Sequence, residues 1–154
     1  AMAFERLAVP GGRGEILEAD GLTILNDCYN ANPLSFRAAM ATAQAMRGGR
    51  RLVFVAGTMR ELGTEAPRLH AEIAADLVRL EPDVLAAVGD FVPALAPHAL
   101  GLGDRLITAE DVPELGRRLA PVLQGDELVV LKASRGVALE RIIPVLTSRP
   151  VPGH

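Results

Sequence analysis

The heptad Asp27-Cys28-Tyr29-Asn30-Ala31-Asn32-Pro33 crowds a carboxylate, a phenol and two carboxamides onto the junction between an apolar run and a helix. Side chains of these types hydrogen-bond sugars, amides and anions, and strand-to-helix junctions are where an α/β domain meets its ligand. The preceding run, Leu22 to Leu25, has the character of a buried strand. Pro33 suits the first turn of a helix continuing through Phe36, Ala39, Met40, Ala43 and Met46, which makes Asn32 its N-cap. Asp27 and Asn30 are then left on the connecting loop, beside free backbone N–H groups and a helix dipole that favour anions. A capped turn would use the same residues without any ligand, so the motif alone leaves both readings open. Tyr29 adds weight to the functional one, as the only tyrosine in a chain with 3% aromatic residues and no tryptophan.

The second cluster is Lys132-Ala133-Ser134-Arg135-Gly136. Lys132 is the only lysine, although Lys and Arg together number 16. A lysine kept in an arginine-using chain points to a site that needs a compact point charge, against the alternative of a solvated strand-end charge. Ser134 adds a hydroxyl, Arg135 a bidentate fork, and Gly136 room for close approach; together they could hold a carboxylate or phosphate.

Both clusters need elements to position them. The chain reads as a hairpin (Arg6 to Val9, a turn at Pro10-Gly11-Gly12, Glu15 to Ala19), a turn at Asp20-Gly21, and a strand from Leu22 to Asn26. Helices are expected over residues 33–47 and 65–80, a short or broken one over 91–100, and another over 112–123. Strands are expected over 51–56, 84–88, 105–108 and 127–131. Ser134 opens a last helix carrying Leu139, Ile142 and Ile143, which Pro144 ends or kinks. Continuous apolar strands alternating with helices predict one α/β domain over residues 1–150: a Rossmann-like, mostly parallel sheet covered by helices on both faces, with a short N-terminal β-hairpin. In such a sheet the loops 27–32, 57–63 and 132–136 share one rim.

Composition narrows the function. A chain of 154 residues with 49% hydrophobic content can bury roughly two-thirds of its unfolded surface as one core. A net charge of −3 with mixed signs gives no nucleic-acid stripe and no polybasic membrane patch. No signal peptide or bilayer-spanning run is visible, which predicts a cytoplasmic protein. The single cysteine excludes an internal disulfide framework, and its place beside a helix N-terminus could lower the thiol pKa. His70 falls on an apolar helix face with Ile73, Ala74 and Leu77 and reads as a packed histidine. His98 and His154 receive no role, and Asp83, Asp90 and Glu110 read as turn or cap residues. Metal-ligand spacing, a nucleophile elbow, G-x-x-x-x-G-K-[ST] and a G-x-G-x-x-G turn are all missing, so a nucleotide would be held from one side only.

The two clusters, in this order, with Pro10-Gly11-Gly12-Arg13-Gly14-Glu15, Met59-Arg60-Glu61-Leu62-Gly63, Leu69-His70, Val88-Gly89-Asp90 and Glu140-Arg141, resemble the C-terminal domain of the Mur ligases, in the branch that adds D-alanyl-D-alanine to UDP-N-acetylmuramoyl-tripeptide. The resemblance covers nearly the whole chain. It implies an enzyme of peptidoglycan precursor synthesis, and hence of cell shape and division, with two further domains: an N-terminal one for the UDP end and a central P-loop ATPase. It implies ATP-dependent amide formation, with Mg²⁺ offsetting phosphate charge. The tripeptide carboxylate takes the γ-phosphoryl group, ADP leaves, and the amine of D-alanyl-D-alanine then displaces phosphate. By the same resemblance, Arg13, Asp27, Tyr29 and Asn30 contact ATP, while Asn32, Lys132, Ser134 and Arg135 bind the amine substrate or approaching acyl phosphate. No catalytic residue or metal ligand is assigned, and the domain by itself is expected to hold no cofactor and to be inactive. Two residues depart from the pattern: Thr58 stands where an aspartate is expected, and Ala133 where glycine is usual, which would displace the loop slightly. The alternative is a freestanding Rossmann-like module that binds a nucleotide or a protein. A receiver-like domain lacks its acidic cluster here.

Overall fold

The computed structural model describes residues 5–8, 14–19 and 21–147. Strand β1 (Glu5–Ala8) pairs antiparallel with β2 (Glu15–Ala19), and β2 pairs antiparallel with β3 (Leu22–Asp27). The expected turn at residues 10–12 lies outside the described residues. From β3 onward the sheet is parallel, with β4 (Leu52–Ala56), β5 (Val84–Val88), β6 (Leu106–Ala109) and β7 (Leu128–Lys132). The seven strands lie in the order β1-β2-β3-β7-β4-β5-β6. The last strand in sequence therefore inserts between β3 and β4.

Alternation along each strand divides the core in two. One face collects Leu25, Leu52, Phe54, Leu85 and Val130 under α1 (Pro33–Arg47), α2 (Ala66–Arg79) and α3 (Phe91–Leu95). The other collects Ile24, Val53, Val55, Val129 and Leu131 under α5 (Val112–Leu119) and α6 (Ile142–Thr147), with the short α4 (Ala99–Leu102) completing the β5-to-β6 connection. All four central strands β4, β5, β7 and the middle of β3 are buried, as their unbroken apolar runs require. Phe36 and Phe54 stack at 6.2 Å between ring centres and Phe36 meets Phe91 at 5.1 Å, which ties α1 to the sheet and to α3.

Helix α1 begins as its sequence predicts. Asn32 is in extended geometry, its Oδ1 accepts from Ser35 N–H at 2.8 Å, and Ser35 Oγ accepts from Asn32 N–H at 2.9 Å. This reciprocal box satisfies two otherwise unpaired donors. Asn32→Ala is expected to lower the unfolding free energy by about 1 kcal/mol in urea titration, and Asn32→Asp or Asn32→Ser to retain most of it.

The expected helix from Ser134 does not form. Residues Arg135–Val137 and Leu139–Arg141 are separate 3-10 turns around Ala138, which has a left-handed φ of 57°, and α6 starts only at Ile142. The break turns Val137 toward Gly57 while Leu139 still enters the core. Pro144 sits in the first turn of α6, where its missing N–H costs nothing, so it neither ends nor kinks the helix. Likewise the helix expected to reach Leu123 stops at Leu119 and tightens to a 3-10 turn containing Pro121.

Candidate ligand site at the carboxyl edge of the sheet

After β3 the chain crosses to α1 on one face, whereas after β7 it leaves for α6 on the other. Adjacent parallel strands whose connections depart to opposite faces open a crevice at their carboxyl ends. Register then decides which side chains meet there. Asp27 pairs with Lys132, and Lys132 with Ala56, so the loops after β3, β7 and β4 start at one level on one rim.

Backbone and side-chain bonds lock these loops together. Gly57 N–H donates to Lys132 O at 2.9 Å and Ser134 N–H to Thr58 O at 3.0 Å. Ser134 Oγ accepts from Arg60 N–H at 2.8 Å. His70, 1% exposed, accepts from Met59 N–H at 2.9 Å through Nε2, which leaves the ring proton on Nδ1 to donate to Ala66 O at 2.7 Å. The buried histidine expected from the sequence is therefore a peg for the 57–63 loop, and Phe91 meets its ring edge-on. Thr58, in the place of the expected aspartate, accepts from Asp90 N–H at 2.9 Å through Oγ1. Gly89 makes that turn at a φ of 70°, and a Cβ there would lie 2.1 Å from the Thr58 hydroxyl. Ala133 is fully buried, and its methyl occupies the space that a Cβ on Gly57 would need, at 2.8 Å. Its extra carbon thus faces into the sheet.

Lys132 is 2% exposed; its Nζ donates to Asn30 O at 2.7 Å and to Asp27 Oδ2 at 3.0 Å. Its charge is spent on fixing the 27–32 loop to β7. Among the described residues the second oxygen of Asp27 has no hydrogen-bond partner, and its side chain is 20% exposed. Tyr29 is 54% exposed, and the Arg135 guanidinium lies 5.3 Å from its ring centre. Asn30 is exposed, while Asn32 uses its side chain in the α1 cap. Asp27, Tyr29, Asn30, Lys132, Ser134 and Arg135 thus gather on one rim. Arg13 lies outside the described residues.

A cavity of about 370 Å³ opens at this rim, lined by Glu15, Asn26, Cys28, Tyr29, Arg135 and Glu140, with Gly14 at its edge. Four of these, Glu15, Asn26, Cys28 and Glu140, are residues to which the sequence assigned no site role. Asn26 and Glu15 face each other across β3 and β2, and Asn26 Nδ2 donates to Glu15 Oε1 at 3.0 Å. Among the described residues Asn26 Oδ1 is buried without a hydrogen-bond partner. The available signal was a polar pair, Asn26-Asp27, closing an otherwise apolar strand.

The expectation of an acidic thiol at Cys28 is corrected. Burial pushes its pKa up, the carboxylates of Glu140 and Asp27 push it further, and Lys132 offsets only part of this, leaving the thiol well above the usual range. Cys28 is 8% exposed and free of any disulfide. It is expected to resist a thiol-labelling reagent near neutral pH, with labelling that follows global unfolding as urea is raised; rapid labelling of the folded chain would show the pocket to be open.

An open, largely parallel sheet whose polar loops converge on its switch point defines a ligand-binding α/β domain of the Rossmann-like kind. A family model described as the Mur ligase glutamate ligase domain matches residues 12–135, and the chain belongs to that family. It is 31% identical to the UDP-N-acetylmuramoyl-tripeptide–D-alanyl-D-alanine ligase of Bacillus subtilis (strain 168), over 98% of this chain and 34% of that protein. It is 35% identical to the Treponema pallidum (strain Nichols) enzyme of the same name, over 93% of this chain and 31% of that protein. Among solved structures, MurF from Acinetobacter baumannii superposes with a TM-score of 0.76 at 26% identity, covering 87% of this chain and 30% of that one. MurF ligase from Thermotoga maritima, in complex with ADP, gives 0.69 at 26% identity over 92% and 31%. The chain spans about a third of the length of the curated relatives it matches.

Proposed function

We propose that this chain is the C-terminal domain of a cytoplasmic, ATP-dependent ligase that adds D-alanyl-D-alanine to UDP-N-acetylmuramoyl-tripeptide in peptidoglycan precursor synthesis. In this reading an N-terminal domain and a central P-loop ATPase domain elsewhere in the same enzyme are its partners, and residues 1–150 form one wall of the shared cleft. The observation that carries the reading is the β3–β7 register, which sets Asp27 beside Lys132 at the switch point and brings the loops of both sequence clusters to one rim. The names of the relatives supply the substrate class.

Asp27, its Oδ2 held by Lys132, presents its remaining oxygen as an acceptor for a ribose hydroxyl, with Tyr29 and Asn30 along the nucleotide edge. The cavity adjoining this edge has room for a further group of the same ligand. Ser134 and Arg135 face the amine substrate, Asn32 orders the start of α1 behind them, and Lys132 acts on the site through Asp27 and Asn30. Arg13 is assigned to the ATP phosphates. In the full enzyme Mg²⁺ would offset the phosphate charge; among the described residues of this domain no group of three or more His, Cys, Asp or Glu side chains is arranged to hold a metal ion. Nor is any helix among them long and apolar enough to cross a membrane. Closure of this wall over the other domains would exclude water from an acyl phosphate and align the attacking amine.

The test is release of ADP and phosphate by the full-length enzyme, expected only when both UDP-N-acetylmuramoyl-tripeptide and D-alanyl-D-alanine are present, with no turnover by the isolated chain. Nucleotide turnover without dependence on the dipeptide would overturn the reading. In that enzyme Asp27→Asn and Arg13→Ala are each expected to weaken nucleotide interaction by about 1.5 to 3 kcal/mol, the range for a hydrogen bond to a charged group, measured as a raised KM for ATP. Unchanged ATP kinetics in both variants would remove these residues from the site.

A further inference from the structure

One basic side chain on the rim has no role in the fold or in the site described so far. Arg60 leaves the 57–63 loop with its backbone N–H tied to Ser134 Oγ at 2.8 Å, and its guanidinium crosses the loop after β7 to lie against Gly136. A Cβ on Gly136 would stand 2.0 Å from Arg60 Nη1, so glycine there leaves a flat backbone seat for the fork. Arg60 is exposed, and among the described residues its guanidinium has neither a hydrogen-bond nor an ion-pair partner, unlike Arg47, Arg50 and Arg68. The hydroxyl it meets is equally unfinished. Ser134 is only 8% exposed, yet its oxygen accepts from Arg60 and its proton goes to no acceptor among the described residues. Arg135, also exposed and without a carboxylate partner among the described residues, flanks the same loop on the Tyr29 side.

A buried hydroxyl with a spare proton and two guanidinium forks set several donors around one loop, and their complement is an oxyanion with several lone pairs. Lys132 cannot serve there, because Asp27 and Asn30 enclose it. We propose that Arg60, with the Ser134 hydroxyl and Arg135, forms an oxyanion clamp, and that Arg60 is a ligand-binding residue of this domain. Resting on the ligase reading for the ligand's identity, the oxyanion is either the terminal carboxylate of the amine dipeptide or a phosphoryl oxygen of the acyl phosphate that the amine attacks. The fork matters as well as the charge, since a lysine cannot lie flat on Gly136 and donate in parallel.

The experiment compares Arg60→Ala, Arg60→Lys and Gly136→Ala with the wild type in the full-length enzyme. ATP, D-alanyl-D-alanine and D-alanyl-D-alaninamide, which lacks the carboxylate, are varied in turn. A carboxylate clamp predicts a KM for the dipeptide raised about 10-fold or more in Arg60→Ala, an unchanged KM for ATP, and a variant that no longer prefers dipeptide over amide. A phosphoryl clamp predicts instead a kcat lowered by a similar factor with both KM values unchanged. Arg60→Lys should fall between, and Gly136→Ala, whose methyl displaces the fork while the backbone stays put, should shift the same parameter as Arg60→Ala. Kinetics within twofold of wild type in Arg60→Ala would overturn the clamp, as would a defect in Arg60→Ala that Gly136→Ala does not share. If the wild-type enzyme does not use the dipeptide, the ligase reading falls separately. The clamp is then judged by calorimetric titration of inorganic phosphate into the wild type and Arg60→Ala, where binding lost in the variant supports it and equal or absent binding overturns it.

Discussion

Lys132→Met is expected to lower the unfolding free energy by about 3 kcal/mol, read from the urea midpoint at constant slope. Methionine nearly fills the lysine's volume, so the loss reports the charge. Removing it leaves Asp27 Oδ2 and Asn30 O facing an apolar side chain, both having been held by an ammonium that is 2% exposed. Breaking a buried pair from one side costs about 3 to 5 kcal/mol, because the surviving charge is left uncompensated. The Asp27 side chain is 20% exposed, so water recovers part of that, which places the expectation at the lower end. Lys132→Arg should not rescue, since the enclosed site has no room for a planar fork. In a double-mutant cycle with Asp27→Asn, the pair should couple strongly. A change below about 1 kcal/mol in Lys132→Met would mean that the pair carries no weight in the fold.

At the opposite edge of the sheet, Glu127→Gln is expected to cost about 1.5 to 3 kcal/mol near neutral pH, the range for a lost charged hydrogen bond. Its carboxylate is fully buried and accepts from the backbone N–H of Gln124 at 2.7 Å, Gly125 at 2.9 Å and Asp126 at 3.2 Å, with Arg51 Nε at 3.4 Å. Burial pushes its pKa up, but the N–H groups and Arg51 together outweigh burial and hold it below its ordinary value of 4.5. A carboxyl whose folded value lies below its unfolded one stabilises the fold fully above the unfolded value and loses that contribution as pH falls through the folded one. The gap between wild type and Glu127→Gln should therefore be widest above pH 4.5 and shrink on acidification below it. A gap independent of pH would assign the loss to geometry and not to charge.

Local pattern made much of this molecule legible in advance. Strand runs, the cap at Asn32 and the packed face of His70 follow from spacing and residue type, and parallel topology alone brings the 27–32, 57–63 and 132–136 loops to one rim. Pairings that depend on which strands become neighbours were not legible. Lys132 reads as a free cation until β7 is seen to insert beside β3, where it becomes the partner of Asp27. Cys28 reads as a thiol near a helix N-terminus, yet its pKa follows burial and the Glu140 carboxylate far along the chain. Residues 134–141 carry helix-compatible spacing, but Val137 and Leu139 must both point inward, and the left-handed Ala138 reconciles them. The seat of Arg60 on Gly136 joins two loops and leaves no trace in either segment alone.

The insertion of β7 between β3 and β4 has a kinetic corollary. During synthesis both flanking strands emerge with one hydrogen-bonding side unfilled, and they stay so until residues 128–132 arrive. The central ladders close late and over long chain separations, a slow class of event. The contacts that join the 27–32 loop to Lys132 are consequently products of the last zippering step, and a nascent polypeptide that stalls before Lys132 would have the hairpin and most helices but not the rim shared by β3, β7 and β4.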